Sequence, residues 1–244
     1  MADPLFFGIV LLSFGLAGVV KGLVGLGLPT VSLGLLTLFV DLPTAMALLV
    51  MPALVTNIWQ ALMGGNFAML LRRLWPFLLF AVLMVHGGGH LFTMVDTALL
   101  ERFLGVLLMI FAITGLIGKV PVIAPKYAVG IGVLCGAVNG ILTGLTGTLF
   151  IPGVIYLQAL GLPRDQLVQA MGMLFAAATA SLGLALYMNG LMPVSLGSMS
   201  AMALLPALLG MACGQWLRRY LAEDLFRKFF LVALGSLGCY ISLA

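Results

Sequence analysis

The sequence predicts an all-α polytopic membrane protein built from two inverted repeats, each a hairpin broken at glycines followed by three transmembrane helices. Three observations lead to this fold class. Of the 244 residues, 63% are hydrophobic and only 7% are charged, which leaves too little polar surface for a soluble domain. A glycine pattern occurs twice, half a chain apart. The basic residues fall almost entirely on one side of the predicted topology.

The first element is an apolar run over residues 5–40 in which Lys21 is the only charged residue. At about 1.5 Å per residue, a straight helix over this run would be roughly 54 Å long, whereas the hydrocarbon core is about 30 Å thick. Gly22, Gly25 and Gly27 lie close together in its middle and Pro29 follows them. These residues predict a break in the helix rather than one straight crossing.

The rest of the first half contains three apolar segments joined by short polar connections. In chain order these are a turn at 41–43, a segment at 44–63, a polar connection at 64–73, and segments at 74–94 and 97–117. A connection at 118–126, with Lys119 and two prolines, divides the chain into a first repeat, residues 1–120, and a second repeat, residues 121–244. No polar interval is long enough for a soluble domain, so the two repeats are predicted to form one integral membrane domain.

The second half repeats this plan. An uncharged run over residues 127–162 carries glycines at 140, 144 and 147, which repeat the spacing of those at 18, 22 and 25 after a shift of 122 positions. A turn at 162–163 matches the earlier Leu-Pro turn. Apolar segments follow at 166–188, 194–216 and 225–243.

The positive-inside rule decides how the two long runs cross the membrane. If each run crossed once, four basic residues would lie on one side and six on the other. If each run returns to its own side as a hairpin with legs of about 15 residues, only Arg102 lies opposite the other nine, which are Arg72, Arg73, Lys119, Lys126, Arg164, Arg218, Arg219, Arg227 and Lys228. This bias selects the hairpins, with both termini on the non-cytoplasmic side of the cell (inner) membrane and the second repeat inverted.

The two glycine stretches are similar to those of a known family. They are Gly18-Val-Val-Lys-Gly22-Leu-Val-Gly25-Leu-Gly27 and Gly140-Ile-Leu-Thr-Gly144-Leu-Thr-Gly147-Thr148, the second with Pro152 shortly after it. A chain of this size with both stretches resembles the TauE/SafE sulfite exporter family, and the resemblance covers nearly the whole sequence. It implies a carrier of sulfite, thiosulfate, sulfonates or related organic anions. Lys21 is more basic than the residue that the family leads us to expect there.

Backbone chemistry at the two breaks fits an anion. A broken helix leaves N–H groups without intrahelical partners, and the helix dipole at its N-terminus favours negative charge. Lys21 adds a cation, while hydroxyl and amide side chains at the second break add donors. The predicted substrate-binding residues are Lys21, Gly22, Gly25, Gly27, Asn57, Asn139, Thr143, Gly144, Thr146, Gly147 and Thr148. The alternative interpretation is that the Gly-x3-Gly spacing serves close helix packing.

His86 and His90 flank three glycines and would share one face of a helix. We predict them as candidates for a proton relay, which would make a proton the coupling partner, because histidine titrates near neutral pH. A metal-ion transporter using this pair is the alternative. No carboxylate or thiol lies close to them in sequence, so no metal site is predicted.

The predicted function is a secondary transporter, working as an exporter, of small sulfur-containing or organic anions bound near the membrane midplane. No Gly-x-Ser-x-Gly nucleophile motif occurs and the acidic residues lie at segment boundaries, so we predict that the protein is not an enzyme and has no cofactor. The predicted partners are a small anion and the lipid bilayer. Dispersed basic residues exclude nucleic acid, and the sequence sets no oligomeric state. A non-transporting membrane assembly protein is the second alternative.

Overall fold

The computed structural model describes residues 4–25, 27–118, 120–220 and 223–243, and these residues form ten α-helices and no strand. The helices are α1 Pro4–Val24, α2 Leu28–Leu36, α3 Leu42–Leu62, α4 Phe67–Phe92, α5 Thr97–Ile117, α6 Pro125–Thr146, α7 Gly153–Ala159, α8 Arg164–Met188, α9 Val194–Leu217 and α10 Glu223–Leu243. Within the described residues, eight are long and apolar enough to cross a membrane, and the two short ones are α2 and α7. The predicted all-α polytopic class is confirmed.

Outside the two long runs, the helix bounds agree closely with the predicted segments, with one difference at α4. This helix begins at Phe67, so Arg72 and Arg73 lie inside it and not in a polar connection. Ala, Met, Leu and Arg are all good helix formers, and both arginine side chains are exposed, so neither opposes helix formation here. Lys119, which the charge count included, lies outside the described residues.

The chain forms two compact units that do not follow its two halves. The first unit contains Met1–Pro52, Thr97–Ile117 and Leu191–Ala244, and the second contains Ala53–Asp96 and Gly118–Gly190. Each unit therefore takes helices from both halves of the sequence. These units are defined by contacts, whereas the predicted repeats, residues 1–120 and 121–244, are defined by duplication of the sequence. The division into two repeats therefore stays a prediction.

In the first unit, α1 runs parallel to α9 at very close range. A Cβ added to Gly18 would collide with the carbonyl oxygen of Ala207, and one added to Gly22 with that of Met211. In the other direction, a Cβ on Gly214 would collide with the carbonyl oxygen of Val19. Small residues on both helices are what allows two backbones to approach this closely in a membrane protein.

In the second unit, α6 runs parallel to α4 in the same way. A Cβ on Gly140 would collide with the carbonyl oxygen of Ala81, and one on Gly144 with that of Val85. A Cβ on Gly88 would collide in turn with the carbonyl oxygen of Ile141. The glycine spacing is therefore used for helix packing in both units, as the alternative interpretation of the sequence held.

The two interfaces correspond residue by residue. A shift of 122 positions carries the α1 residues onto those of α6, as from 18 to 140, and a shift of 126 carries the α4 residues onto those of α9, as from 81 to 207. The corresponding pairs are Gly18 with Gly140, Val19 with Ile141, Gly22 with Gly144, Ala81 with Ala207, Val85 with Met211 and Gly88 with Gly214. The duplication seen in the sequence thus extends to contacts, while the inverted orientation of the halves stays a prediction.

The second long run folds back on itself after α6. The Ile123 N–H, just before α6, donates to the Ala159 carbonyl at the end of α7 over 2.8 Å, and the Tyr156 hydroxyl in α7 donates to the Ala128 carbonyl over 3.1 Å. The chain therefore returns to the side on which α6 begins, as predicted. The legs are unequal, however, because α6 has 22 residues and α7 has 7. Residues 147–152, a non-helical stretch that ends in a bend and a turn, cover the rest of the return.

The direction of α8 agrees with this return. At the start of α8, the Gln169 side-chain oxygen accepts the Asn66 N–H over 3.1 Å, and farther along, the Ser181 hydroxyl donates to the Val82 carbonyl over 2.8 Å. Since Asn66 precedes α4 and Val82 lies within it, α8 runs parallel to α4. Because α6 is also parallel to α4, α6 and α8 run in the same direction. If residues 127–162 crossed the membrane only once, α6 and α8 would instead be antiparallel.

Candidate functional site

The first hairpin tip joins α1 to α2 through two glycines with left-handed backbone. Gly25 has φ 82° and Gly27 has φ 109°, which glycine adopts without steric cost. The Gly25 N–H donates to the Lys21 carbonyl over 2.8 Å and closes the end of α1. Pro29 lies in the first turn of α2, where its missing N–H removes nothing from the helix. The predicted break is therefore confirmed at these residues.

Lys21 lies in the last turn of α1, and only 5% of it is exposed. Among the described residues it is the only Lys, Arg, Asp or Glu that is buried. Its position at the C-terminal end of α1 places its charge where the helix dipole is negative. Buried ionisable groups within membrane helices are rare and usually functional, so Lys21 is the main candidate of the first unit.

The glycines of the first tip differ in what lies beside them. Gly22 faces the α9 backbone, and a Cβ on Gly27 would lie 3.3 Å from a Val20 methyl carbon and 3.4 Å from the Phe230 ring. A Cβ on Gly25 would meet no atom within 4 Å. Gly25 is therefore the glycine of this tip that leaves space next to the backbone.

The second tip closes α6 with hydroxyl groups instead of a charge. Gly147 has φ 73°, and its N–H donates to the Thr143 carbonyl over 2.8 Å. The Thr143 hydroxyl lies 2.7 Å from the Thr148 carbonyl oxygen and 2.8 Å from that of Asn139. The Thr146 hydroxyl lies 2.8 Å from the Thr148 hydroxyl and 2.8 Å from the carbonyl oxygen one turn back. All four of these polar side chains are fully buried.

These hydrogen bonds show that the second tip is stabilised from within. Each hydroxyl has one proton to donate, and the protons of Thr143 and Thr146 have acceptors inside the hairpin. The Asn139 side-chain oxygen accepts the Gly153 N–H over 3.0 Å, which fixes the start of α7 beside α6.

Asn57 and the two histidines have different surroundings. Asn57 is fully buried in α3. His86 is half-buried in α4, with its Nε2 3.3 Å from the Ser181 hydroxyl, whereas His90 is exposed. The Ser181 hydroxyl donates its proton to the Val82 carbonyl, so its oxygen can only accept from His86. This hydrogen bond corresponds to the His86 tautomer with the proton on Nε2.

The three glycines between the histidines form regular helix, which the sequence left open. Gly88 packs on α6, and a Cβ on Gly89 would lie 3.4 Å from the Ala185 side chain of α8. Gly88 and Gly89 therefore serve contacts with two neighbouring helices. In the described residues no group of three or more His, Cys, Asp or Glu is placed to hold a metal ion.

Polar side chains join α3 to two other helices. The Gln60 amide donates to the Val168 carbonyl over 2.9 Å, and the Gln169 amide donates to the Ala61 carbonyl over 2.8 Å. This reciprocal pair links α3 to α8. Nearer the N-terminus of α3, the Ser200 hydroxyl of α9 donates to the Leu48 carbonyl, one turn before Pro52. The available sequence signals were single polar residues in apolar segments and a proline within a predicted helix.

Eight long apolar helices and two helix breaks that bury polar groups define a polytopic membrane protein with internally broken helices, an architecture common in secondary transporters. The model of the sulfite exporter TauE/SafE family matches residues 10–241. The chain belongs to this family and is therefore a multi-pass membrane transporter of sulfite-type anions. No curated protein and no solved structure matches it.

Proposed function

We propose that the protein is a secondary transporter that exports sulfite, thiosulfate or small sulfonates across the cell membrane, and that Lys21 contacts the anion. The observation that carries this proposal is a buried lysine at the tip of a broken helix in a chain of the sulfite exporter family. Burying a charged ammonium group is costly unless an opposite charge accompanies it. We propose that an oxyanion bound at the first tip contributes such a charge.

The duplicated contacts support a specific role for Lys21. The shift of 122 positions that relates the two hairpins brings Lys21 onto Thr143. The Thr143 hydroxyl binds the carbonyl of Thr148 in the segment that follows its helix. We therefore expect the Lys21 side chain to face the corresponding segment of the first tip, next to Gly25. The tip of the first hairpin thus carries a charge, whereas the tip of the second carries buried hydroxyl groups.

The remaining predicted residues divide into two groups. Gly25, Gly27 and Gly147, with the amides that follow them, are proposed to present backbone donors to the anion. Gly22 and Gly144 pack against neighbouring helices, and we propose that they act on substrate by holding the tips in place. Asn57, Asn139, Thr143, Thr146 and Thr148 are proposed as polar residues around the substrate. His86 is proposed as the site of a coupling proton, with His90 one turn farther on.

Anion transport by Lys21 variants in proteoliposomes tests the proposal. We expect Lys21→Ala to lower the rate of sulfite, thiosulfate and sulfonate transport about ten-fold or more, because a desolvated charge pair is lost. Lys21→Arg keeps the charge and is expected to retain part of the activity.

Lys126→Ala is the matched control. This lysine is exposed and its Nζ lies 4.6 Å from the centre of the Tyr127 ring, so its removal changes the net charge by the same amount away from the tips. Its transport rate is expected to equal that of the wild type. Unchanged transport of every anion by Lys21→Ala would remove Lys21 from the substrate site.

A further inference from the structure

The helix α3 contains a proline at position 52, in its middle. Proline has no N–H, so the carbonyl four residues earlier, that of Leu48, loses its helical hydrogen bond. The Ser200 hydroxyl of α9 takes its place and donates to the Leu48 carbonyl over 2.7 Å. The Met51 N–H donates to the same hydroxyl oxygen over 3.0 Å. One buried side chain thus completes the hydrogen bonding of α3 where the helix is interrupted.

The two ends of α3 are fixed to different helices. In the first unit, the Leu42 N–H donates to the Glu101 carboxylate of α5 over 3.0 Å, and Ser200 holds the middle of the helix. In the second unit, the reciprocal amide pair of Gln60 and Gln169 ties the last turns to α8. Pro52 lies between these two sets of contacts.

The chain passes between its two compact units four times. Three of these passages lie at connections between helices, after Asp96, Ile117 and Gly190. The fourth lies inside α3, between Pro52 and Ala53. A connection bends with little resistance, whereas a helix bends mainly where its hydrogen bonding is already interrupted. Pro52 supplies that interruption at the one passage made within a helix of the described chain.

We propose that α3 is hinged at Pro52 and that Ser200 is a positioning residue for transport, because its hydroxyl holds the hinge in the conformation seen here. The hinge rests on the proposed transport function, since its use is to let α3 change its bend during each transport cycle. Such steps set the turnover rate of many proteins that bind a ligand and then rearrange. The substrate need not touch Ser200 for this role.

Variants at the two positions separate a hinge from a static bend. Pro52→Ala restores the N–H that would donate to the Leu48 carbonyl and so straightens the helix. We expect it to lower the anion transport rate about ten-fold, because a straightened helix resists the rearrangement. The dissociation constant for sulfite is expected to stay within about two-fold, because the substrate site is intact. Pro76→Ala in α4 is the matched control, because that proline lies within a helix that belongs wholly to one unit. It is expected to transport at the wild-type rate.

Ser200→Ala removes the hydroxyl and is expected to speed hydrogen exchange of the α3 amides around Met51 and to change the transport rate about three-fold or more, again with unchanged sulfite binding. Ser200→Thr keeps a hydroxyl and is expected to restore the wild-type values. The double variant Ser200→Ala, Pro52→Ala is expected to match Pro52→Ala alone, because the restored amide makes the hydroxyl unnecessary. Retained sulfite binding in Ser200→Ala, together with recovery of the transport rate in Ser200→Thr, distinguishes an altered hinge from misfolding.

A wild-type transport rate in Pro52→Ala would overturn the hinge, and so would a loss of sulfite binding that parallels the loss of rate. A wild-type protein that neither binds nor moves any sulfur anion overturns the proposed function separately. Hydrogen exchange then still decides on the hinge: exchange around Met51 must be slower in Pro52→Ala than in the wild type, and equal exchange would overturn it.

Discussion

At the scale of single residues, the two hairpins have diverged at corresponding positions. Lys21 is the buried charge of one hairpin, and its counterpart Thr143 is a buried hydroxyl in the other. The same shift pairs Ala17 with Asn139, which binds the Gly153 N–H. The second hairpin therefore has internal hydrogen bonds where the first has a cation. One duplicated backbone thus carries two different chemistries.

Gly153 tests how strongly the second tip depends on its internal contacts. A Cβ at this position would lie 2.6 Å from the Asn139 side-chain oxygen and 2.6 Å from a Leu174 methyl carbon. We expect Gly153→Ala to destabilise the protein by about 1–3 kcal/mol, since the new atom overpacks a buried site and disturbs the hydrogen bond from its own N–H. Thermal unfolding in detergent measures this. Gly130→Ala in α6, where a Cβ meets nothing within 4 Å, is the control. Equal unfolding temperatures for the two variants would contradict the expected role of Gly153.

At the scale of helices, the α1–α9 and α4–α6 pairs depend on glycines that lie against the backbone of the partner helix. Gly88 and Gly214 hold corresponding positions, each facing a carbonyl oxygen of a hairpin helix. Gly87, next to Gly88, faces open space. Position within the helix, and not glycine itself, therefore decides the consequence of a substitution.

We expect Gly88→Ala and Gly214→Ala to lower the unfolding temperature by similar amounts, because each added Cβ forces two backbones apart and overpacking costs about 1–3 kcal/mol. Gly87→Ala is expected to be neutral or stabilising, since alanine favours helix over glycine by about 1 kcal/mol. Thermal unfolding of the three variants measures both effects. If Gly87→Ala destabilised as much as Gly88→Ala, the packing explanation for Gly88 would be wrong.

The sequence predicts the local features of this protein but not the contacts between segments that are far apart in the chain. Long apolar runs located the membrane helices, almost to the residue at Thr97–Ile117 and less closely at Phe67–Phe92, and the glycines located both helix breaks. Local patterns carried that information. The pairing of α1 with α9 and the contact of Ser200 with Leu48 join segments far apart in sequence, and the surface that each segment presents emerges only on packing. Burial of Lys21 could be expected from its apolar neighbours, whereas the internal hydrogen bonds of the second tip could not.

At the scale of the whole molecule, neither half of the chain can make its closest helix contacts alone. The first hairpin helix, α1, packs on α9 from the second half, and α6 packs on α4 from the first. Each compact unit therefore contains helices from both halves. A duplicated chain that exchanges helices in this way keeps its two hairpin helices in corresponding surroundings.

The topology of the chain gives the last prediction. Nine of the ten basic residues outside α1 share one side only if both long runs return as hairpins, and that side is expected to be cytoplasmic. In a variant without native cysteines, Met63→Cys and Asp165→Cys, both at exposed positions, are expected to label from the cytoplasmic side. The contact between Asn66 and Gln169 requires these two positions to behave alike. Asp41→Cys, also exposed, is expected to react with an impermeant maleimide added outside intact cells, while the other two react only after permeabilisation. The inverted scheme is wrong if Asp41→Cys and Asp165→Cys label from the same side, because the turns before α3 and α8 must then lie on one face of the membrane.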